Sequence, residues 1–176
     1  MNRKNDVGGS GFTLVELLVV VAILGILMVA VVLAINPVEI MRKGRDSTRF
    51  SDMDTMRKAI DLAVADGATL TTTATPGDSS AVGATQAADG TGWLSFDVSA
   101  YLAALPLDPR NGDTFTDALG VSRTGKYLYF SDGSGYELNC YLESAANANK
   151  YGTDGGNEAG VYEVGTDLTL LPIATP

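Results

Sequence analysis

The apolar positions of this chain fall into two regimes that change near residue 36. Residues 17–35 read LLVVVAILGILMVAVVLAI, nineteen residues without a charge. A helix of that length spans roughly 28 Å, the thickness of a bilayer's hydrocarbon core. Core helices of soluble proteins seldom run so far without a polar residue, so this stretch is expected in lipid. Directly after Ile35 stands Asn36-Pro37-Val38-Glu39, not the small-residue cleavage site of a conventional secretory signal. Beyond Pro37 the pattern becomes amphipathic. Met53, Met56, Ile60, Ala63 and Val64 recur at three- and four-residue spacing, one apolar face that should pack on a sheet. Residues 12–65 therefore read as one long helix with a local bend near Pro37, ending at Gly67. Asp54 with Lys58 and Arg57 with Asp61 stand four apart and support it as ion pairs.

Residues 68–92 are rich in Thr, Ala, Gly and Ser; with almost no large apolar residue they read as a long connection without a core of its own. Trp93-Leu94 resumes order, and Asp97 is placed to cap a short helix over 98–104 that ends before Pro106. Residues 126–130 and 136–142 flank Ser131-Asp132-Gly133-Ser134-Gly135, a β-hairpin pattern, and residues 160–165 read as a third short strand. Tyr136, Leu138, Cys140 and Leu142 alternate and share the inward face. The expected fold class is α+β: a long N-terminal α-helix, its hydrophobic half transmembrane, packed on a small antiparallel β-sheet head.

Ahead of the apolar run stands Gly9-Ser10-Gly11 and then Phe12-Thr13-Leu14-Val15-Glu16. An acidic side chain inside a membrane helix costs on the order of 2.5–3.5 kcal/mol at the centre, less near the end, and usually has a definable partner. Glu16 lies one turn past Phe12. A cut after Gly11 would create a Phe12 amine of pKa about 8, a cation that a carboxylate on a neighbouring helix can pair with. In a low-dielectric bundle that attraction amounts to several kcal/mol before desolvation, enough to set axial register. The alternative is a Glu16 that merely snorkels to the lipid headgroups.

The string from Gly11 to Val20 followed by an apolar helix resembles the class III signal of type IV prepilins and type II secretion pseudopilins. That resemblance implies cleavage between Gly11 and Phe12 by a prepilin peptidase on the cytoplasmic side, methylation of the Phe12 amine, and a role for Glu16 in docking. It also implies a chain divided into a leader (1–11), a transmembrane and filament-core helix (12–35), an amphipathic continuation (36–67) and a globular head with variable loops (68–176). Its partners would be copies of itself in a helical homopolymer, related minor pilins, the peptidase, the pilus assembly platform and the membrane. The precursor would cross the inner membrane once with its N-terminus cytoplasmic, then enter an extracellular or periplasmic filament. The positive-inside count runs the other way, since Arg42, Lys43, Arg45 and Arg49 outnumber Arg3 and Lys4; the cleavage motif is taken to override it. The family often carries a proline late within the apolar helix, whereas the first here is Pro37, leaving Gly25 to soften the middle.

Charge sharpens this picture. The net charge is −9, concentrated in the C-terminal two-thirds, so the head would repel phosphate and no direct nucleic-acid partner is expected. The basic run 42–49 reads as a solvated, partly self-paired helix face. There is no histidine, which removes the usual general base and commonest metal ligand. No nucleophile–base or phosphate-loop motif is present, so no catalytic residue, cofactor or metal ligand is assigned and no enzyme is expected. Asp108, Asn111, Asp113 and Asp117 offer hard oxygens, and the resemblance extends to the acidic calcium loop of major pseudopilins, but an ordinary solvated turn is the expectation. Asp132 with Glu137, and Asp154 with Glu158, sit in Gly-rich turns and are equally ambiguous. The lone Cys140 forms no intrachain disulfide and reads as a buried, inert thiol. Many type IV pilins staple a C-terminal loop with two cysteines, so something else must hold the last segment. Beside the filament subunit stands the alternative of a single-pass membrane-tethered ectodomain that binds a ligand without polymerising. Such a tether needs neither Gly11 nor Glu16.

Overall fold

A computed structural model describes residues 11–170, with the backbone alone at Leu33 and Ala34; most of the expected leader lies outside the described residues. The apolar run forms helix α1, Leu14–Ile35, and the amphipathic run forms helix α2, Pro37–Ala65. These are two helices rather than one. Asn36 between them is left-handed, with φ 47° and ψ 74°. Proline disfavours the α conformation in the residue before it, and asparagine tolerates the left-handed region well. Gly25 does not interrupt α1. The chain divides into two compact units, Met1–Val38 and Glu39–Pro176.

Within the second unit, α2 buries Asp46, Arg49, Met53, Met56, Ala59, Ile60 and Ala63. The expected apolar face is present, except that Val64 is exposed: it lies one residue round from Ala63, off the stripe. Met53, Met56 and Ile60 are each buried, worth about 1.5–3 kcal/mol apiece relative to exposure. The helix ends where expected. Gly67, with φ 98°, donates to Val64 O while Ala68 N donates to Ala63 O, both at 3.0 Å, the paired bonds of a Schellman motif.

The helix packs on a four-stranded antiparallel sheet of order β1-β4-β5-β6. Its strands are β1 Gly77–Asp78, β4 Tyr127–Ser131, β5 Tyr136–Cys140 and β6 Tyr162–Gly165. A separate ribbon pairs β2 Thr114–Thr116 with β3 Ser122–Thr124. The expected hairpin and third strand are therefore present, with Tyr129 opposite Leu138 and Leu138 opposite Val164. The inward face carries Tyr127, Tyr129, Tyr136, Leu138 and Cys140, all buried with the α2 stripe, Trp93 and Leu142. Two tyrosine hydroxyls tie this sheet to α2: Tyr127 donates to Asp52 at 2.7 Å and Tyr136 to Asp61 at 2.6 Å. The Cys140 thiol is buried, and burial pushes its pKa up, which leaves it unreactive.

Two expectations for the middle of the chain are corrected. Residues 68–92 are no free connection: they supply edge strand β1, Thr73 N donates to Ser131 O at 2.8 Å, and Gln86 O accepts Leu105 N at 2.8 Å. Backbone groups, which composition does not reveal, hold this run in place. The expected helix over 98–104 is a single turn, in which Val98 O accepts Tyr101 N and Leu102 N at 2.9 Å each. Asp97 caps it by accepting Ser99 N at 2.9 Å. Leu105 N then turns to Gln86 O, so the turn gains no second round of helical bonds.

Candidate functional site

The sequence points to the amino-terminal motif as the functional site. Thr13, in an extended conformation, is the N-cap of α1. Its hydroxyl oxygen accepts Glu16 N at 3.2 Å, while Glu16 Oε2 accepts Thr13 N at 2.9 Å and the Thr13 hydroxyl at 2.8 Å. This is a reciprocal capping box, which satisfies two of the donors that every helix start leaves open. The T-x-x-E spacing in the sequence is its signature, and it gives Glu16 a role within its own chain, beside the one expected of it between chains. Glu16 is nevertheless exposed, as are Gly11 and Phe12, and Phe12 shows 85% of its surface.

Gly11 precedes the helix in open space: a Cβ added there meets nothing within 4 Å and no left-handed backbone requires glycine. Among the described residues nothing demands glycine at this position. The same holds for the space around Gly25, although glycine costs about 1 kcal/mol relative to alanine inside a helix. From Leu14 to Val32 the helix is long and apolar enough to cross a membrane, and none of it is buried. Leu14, Ile26 and Met28 each expose more than two-thirds of their surface. In water such a face is untenable; in lipid or against other helices it is the expected state.

A second polar cluster, in the head, corrects the reading of residues 42–49 as a solvated, partly self-paired helix face: Lys43 is exposed and Arg42 pairs with Glu39, but Asp46 and Arg49 are buried. Arg49 is fully buried. Its Nε and Nη2 donate to the two carboxylate oxygens of Asp108 at 2.7 and 2.9 Å, Nη1 donates to Asp46 at 2.9 Å, and Nη2 also reaches Glu143 at 2.8 Å. Arg45 holds Glu143 from the other side at 2.8 and 2.6 Å. Asp46 in turn accepts Glu143 N and Ser144 N at 2.8 and 2.9 Å. Burial would raise the Glu143 pKa, but the hydrogen bonds from Arg45 and Arg49 outweigh it and hold the carboxyl below its ordinary value. Arg49 is held more firmly protonated than usual. The planar guanidinium fork suits this bidentate, multi-carboxylate role. The signal was present in the sequence: positions 46 and 49 continue the 53-56-60-63 stripe backwards, but they are charged, and a search for apolar residues passes over them.

The acidic loop also departs from a solvated turn. Asp108 is occupied by Arg49. Asp117 is buried, accepts Leu119 N and Val121 N at 2.9 and 2.8 Å and pairs with Arg123 at 3.1 Å. Asn111 exchanges bonds with Ser79. Among the described residues no group of three or more acidic or thiol side chains is arranged to hold a metal ion.

The model of the prokaryotic N-terminal methylation motif matches residues 9–32. No curated protein and no solved structure matches the chain. The motif is one of structural, pilin-type subunits and not of an enzyme family, and the apolar helix fits a membrane-anchored precursor. Glycine that the fold does not need, a carboxylate at the first turn of an exposed apolar helix and the matched motif coincide: the chain carries the class III signal of type IV pilins and pseudopilins.

Proposed function

We propose that this chain is the precursor of a structural subunit of a type IV pilus or pseudopilus, polymerised through its N-terminal helix. In this reading the leader 1–11 is removed between Gly11 and Phe12 by a prepilin peptidase. Residues 12–35 then serve first as membrane span and later as filament core, residues 36–67 carry the continuation, and residues 68–176 form the exposed head. The observation that carries the reading is the lone Glu16 at the start of an otherwise uncharged helix α1 that is exposed from Leu14 to Val32. A simple tether gains only the capping box from a carboxylate there, whereas a polymerising helix gains in addition a partner for the new Phe12 amine of a neighbouring copy. Gly11 supports it too, because a glycine that the fold does not require points to recognition from outside. Both Thr13 and Glu16 lie beyond the proposed cut, so the capping box survives it. The precursor's N-terminus is cytoplasmic, and the partners are further copies, related minor pilins, the peptidase and the assembly platform.

Intact-mass measurement on protein from its native host tests the reading. The expected mass begins at Phe12 with a methylated amine. A chain retaining residues 1–11, or one starting after Ile35, would leave the membrane-tethered ectodomain as the better account.

A further inference from the structure

The outer face of the sheet, turned away from α2, holds a polar cluster that the amino-terminal motif does not use. Strand pairing sets Asn139 opposite Glu163 and Glu137 opposite Gly165, so Glu137, Asn139 and Glu163 share this face. Period-two alternation leads one to expect them in water. All three are instead buried, none exposing more than 1% of its surface. The end of the head covers them. Glu158 N donates to Glu163 Oε2 at 3.1 Å, and Leu170 N donates to Glu137 Oε2 at 2.8 Å. Glu163 N donates to Asp154 at 3.0 Å. The Gly156 backbone lies so close that an added Cβ would stand 1.8 Å from Glu163 Oε2.

We propose that the buried Glu163 carboxyl keeps its proton, and that this proton latches the flanking residues 154–160 and 166–170 onto the outer face of the sheet. The latch tightens in acid and loosens as the pH rises.

The case rests on charge and burial. Glu163 Oε1 is buried without a hydrogen-bond acceptor or donor assigned to it, which a carboxylate tolerates poorly and a carboxylic acid resolves by donating its proton. No ion pair reaches Glu163 among the described residues, and the nearby basic side chains are engaged elsewhere: Arg123 with Asp117, Lys126 with Asp78, and Lys150 over the Phe50 ring. The charged groups around Glu163 are acidic: Glu137 from β5, and Asp154 and Glu158 from the covering segment. A buried Glu163 carboxyl without an ion pair of its own, set among acidic neighbours, is costly to ionise. Burial first, and then the hydrogen bond and charge of Glu137 and the charge of Asp154, push the Glu163 carboxyl up to about 8. Lifting residues 154–160 and 166–170 away would return Glu163 to water and to an ordinary carboxyl pKa. The open state then binds fewer protons than the closed one between about pH 4.5 and about pH 8, so across that window opening becomes about tenfold easier per pH unit, and above it levels off.

Amide hydrogen exchange on the full chain in detergent micelles, with infrared spectra of the same samples, tests this. After normalisation to unstructured-peptide rates, the Glu158 and Leu170 amides should lose protection about tenfold per pH unit up to about pH 8 and then plateau. A protonated-carboxyl infrared band should titrate away over the end of that range. Glu163→Gln should remove the band and flatten the profile. Should that variant fail to fold, Glu137→Gln carries the test: removing the like charge should move the band's titration to lower pH. A flat wild-type profile without a protonated band above about pH 6 would overturn the latch, since an unshifted carboxyl is ionised there. So would calcium abolishing the band near neutral pH while raising protection, which would put a cation where the proton is proposed.

Discussion

Glu16 caps helix α1 and, in the proposed filament, pairs with a neighbour's Phe12 amine, and its substitution by glutamine divides the two. Glutamine keeps the carbonyl oxygen that accepts Thr13 N and the Thr13 hydroxyl, and Glu or Gln serves equally at this position of a capping box. Glu16→Gln should therefore leave the start of α1 intact. It removes the charge. At about 4 Å and an effective dielectric of about 20, a carboxylate and an ammonium attract by about 4 kcal/mol, before desolvation reduces that gain. Losing even half of it at every subunit contact lowers each addition constant by roughly thirtyfold, since about 1.4 kcal/mol is a factor of ten. Thr13→Ala does the converse: it costs about 0.5–2 kcal/mol of capping while the Glu16 charge stays. Sheared filaments and membrane fractions should be quantified from cells expressing each variant, with leader removal followed by intact mass. Glu16→Gln should be processed, membrane-inserted and unpolymerised, and Thr13→Ala should polymerise with reduced yield. The reasoning fails if Glu16→Gln polymerises like the wild type while Glu16→Ala and Thr13→Ala are impaired alike, because Glu16 would then serve the helix cap alone.

The head supplies two more expected outcomes. Arg49→Met leaves Asp46, Asp108 and Glu143 without their shared cation and should lower stability by about 3–5 kcal/mol, as expected when one partner of a buried ion pair is removed. Urea unfolding followed by the fluorescence of the single tryptophan, buried Trp93, reads this. Arg49→Lys should not rescue it, because one ammonium lacks the fork that serves three carboxylates. Glu143, whose pKa is lower folded than unfolded, contributes to the acid limb together with other lowered carboxyls such as Asp78. Its contribution is present above the ordinary carboxyl value of about 4.5 and is lost as the pH falls below it. The urea midpoint of the full chain in detergent should fall on acidification below about pH 4.5, and Arg45→Ala should flatten that decline.

The sequence alone determined what depends on local pattern. The uncharged run ahead of Asn36-Pro37, the Gly11-Phe12 junction with Glu16, the stop at Gly67, and the hairpin around residues 131–135 were all legible, because each rests on neighbours within a few residues. The Thr13–Glu16 box is equally local and was open to reading from its spacing. The division at Asn36 into two helices is a local matter too, although proline's effect there exceeds the expected bend. What only the tertiary structure decided is where charged side chains go. Arg49 meets Asp108 and Glu143 across 59 and 94 residues; the stripe that positions 46 and 49 continue shows which face they share, but nothing along the chain names the partners that meet them there. The same holds for Glu137, Asn139 and Glu163: their alternation reads as a solvated face until residues 154–160 and 166–170 fold over it. Apolar side chains are driven inward by water wherever they stand, so their spacing announces the core. A polar group is buried only where distant chain supplies its hydrogen bonds or its proton, and that supply exists only once the chain is folded.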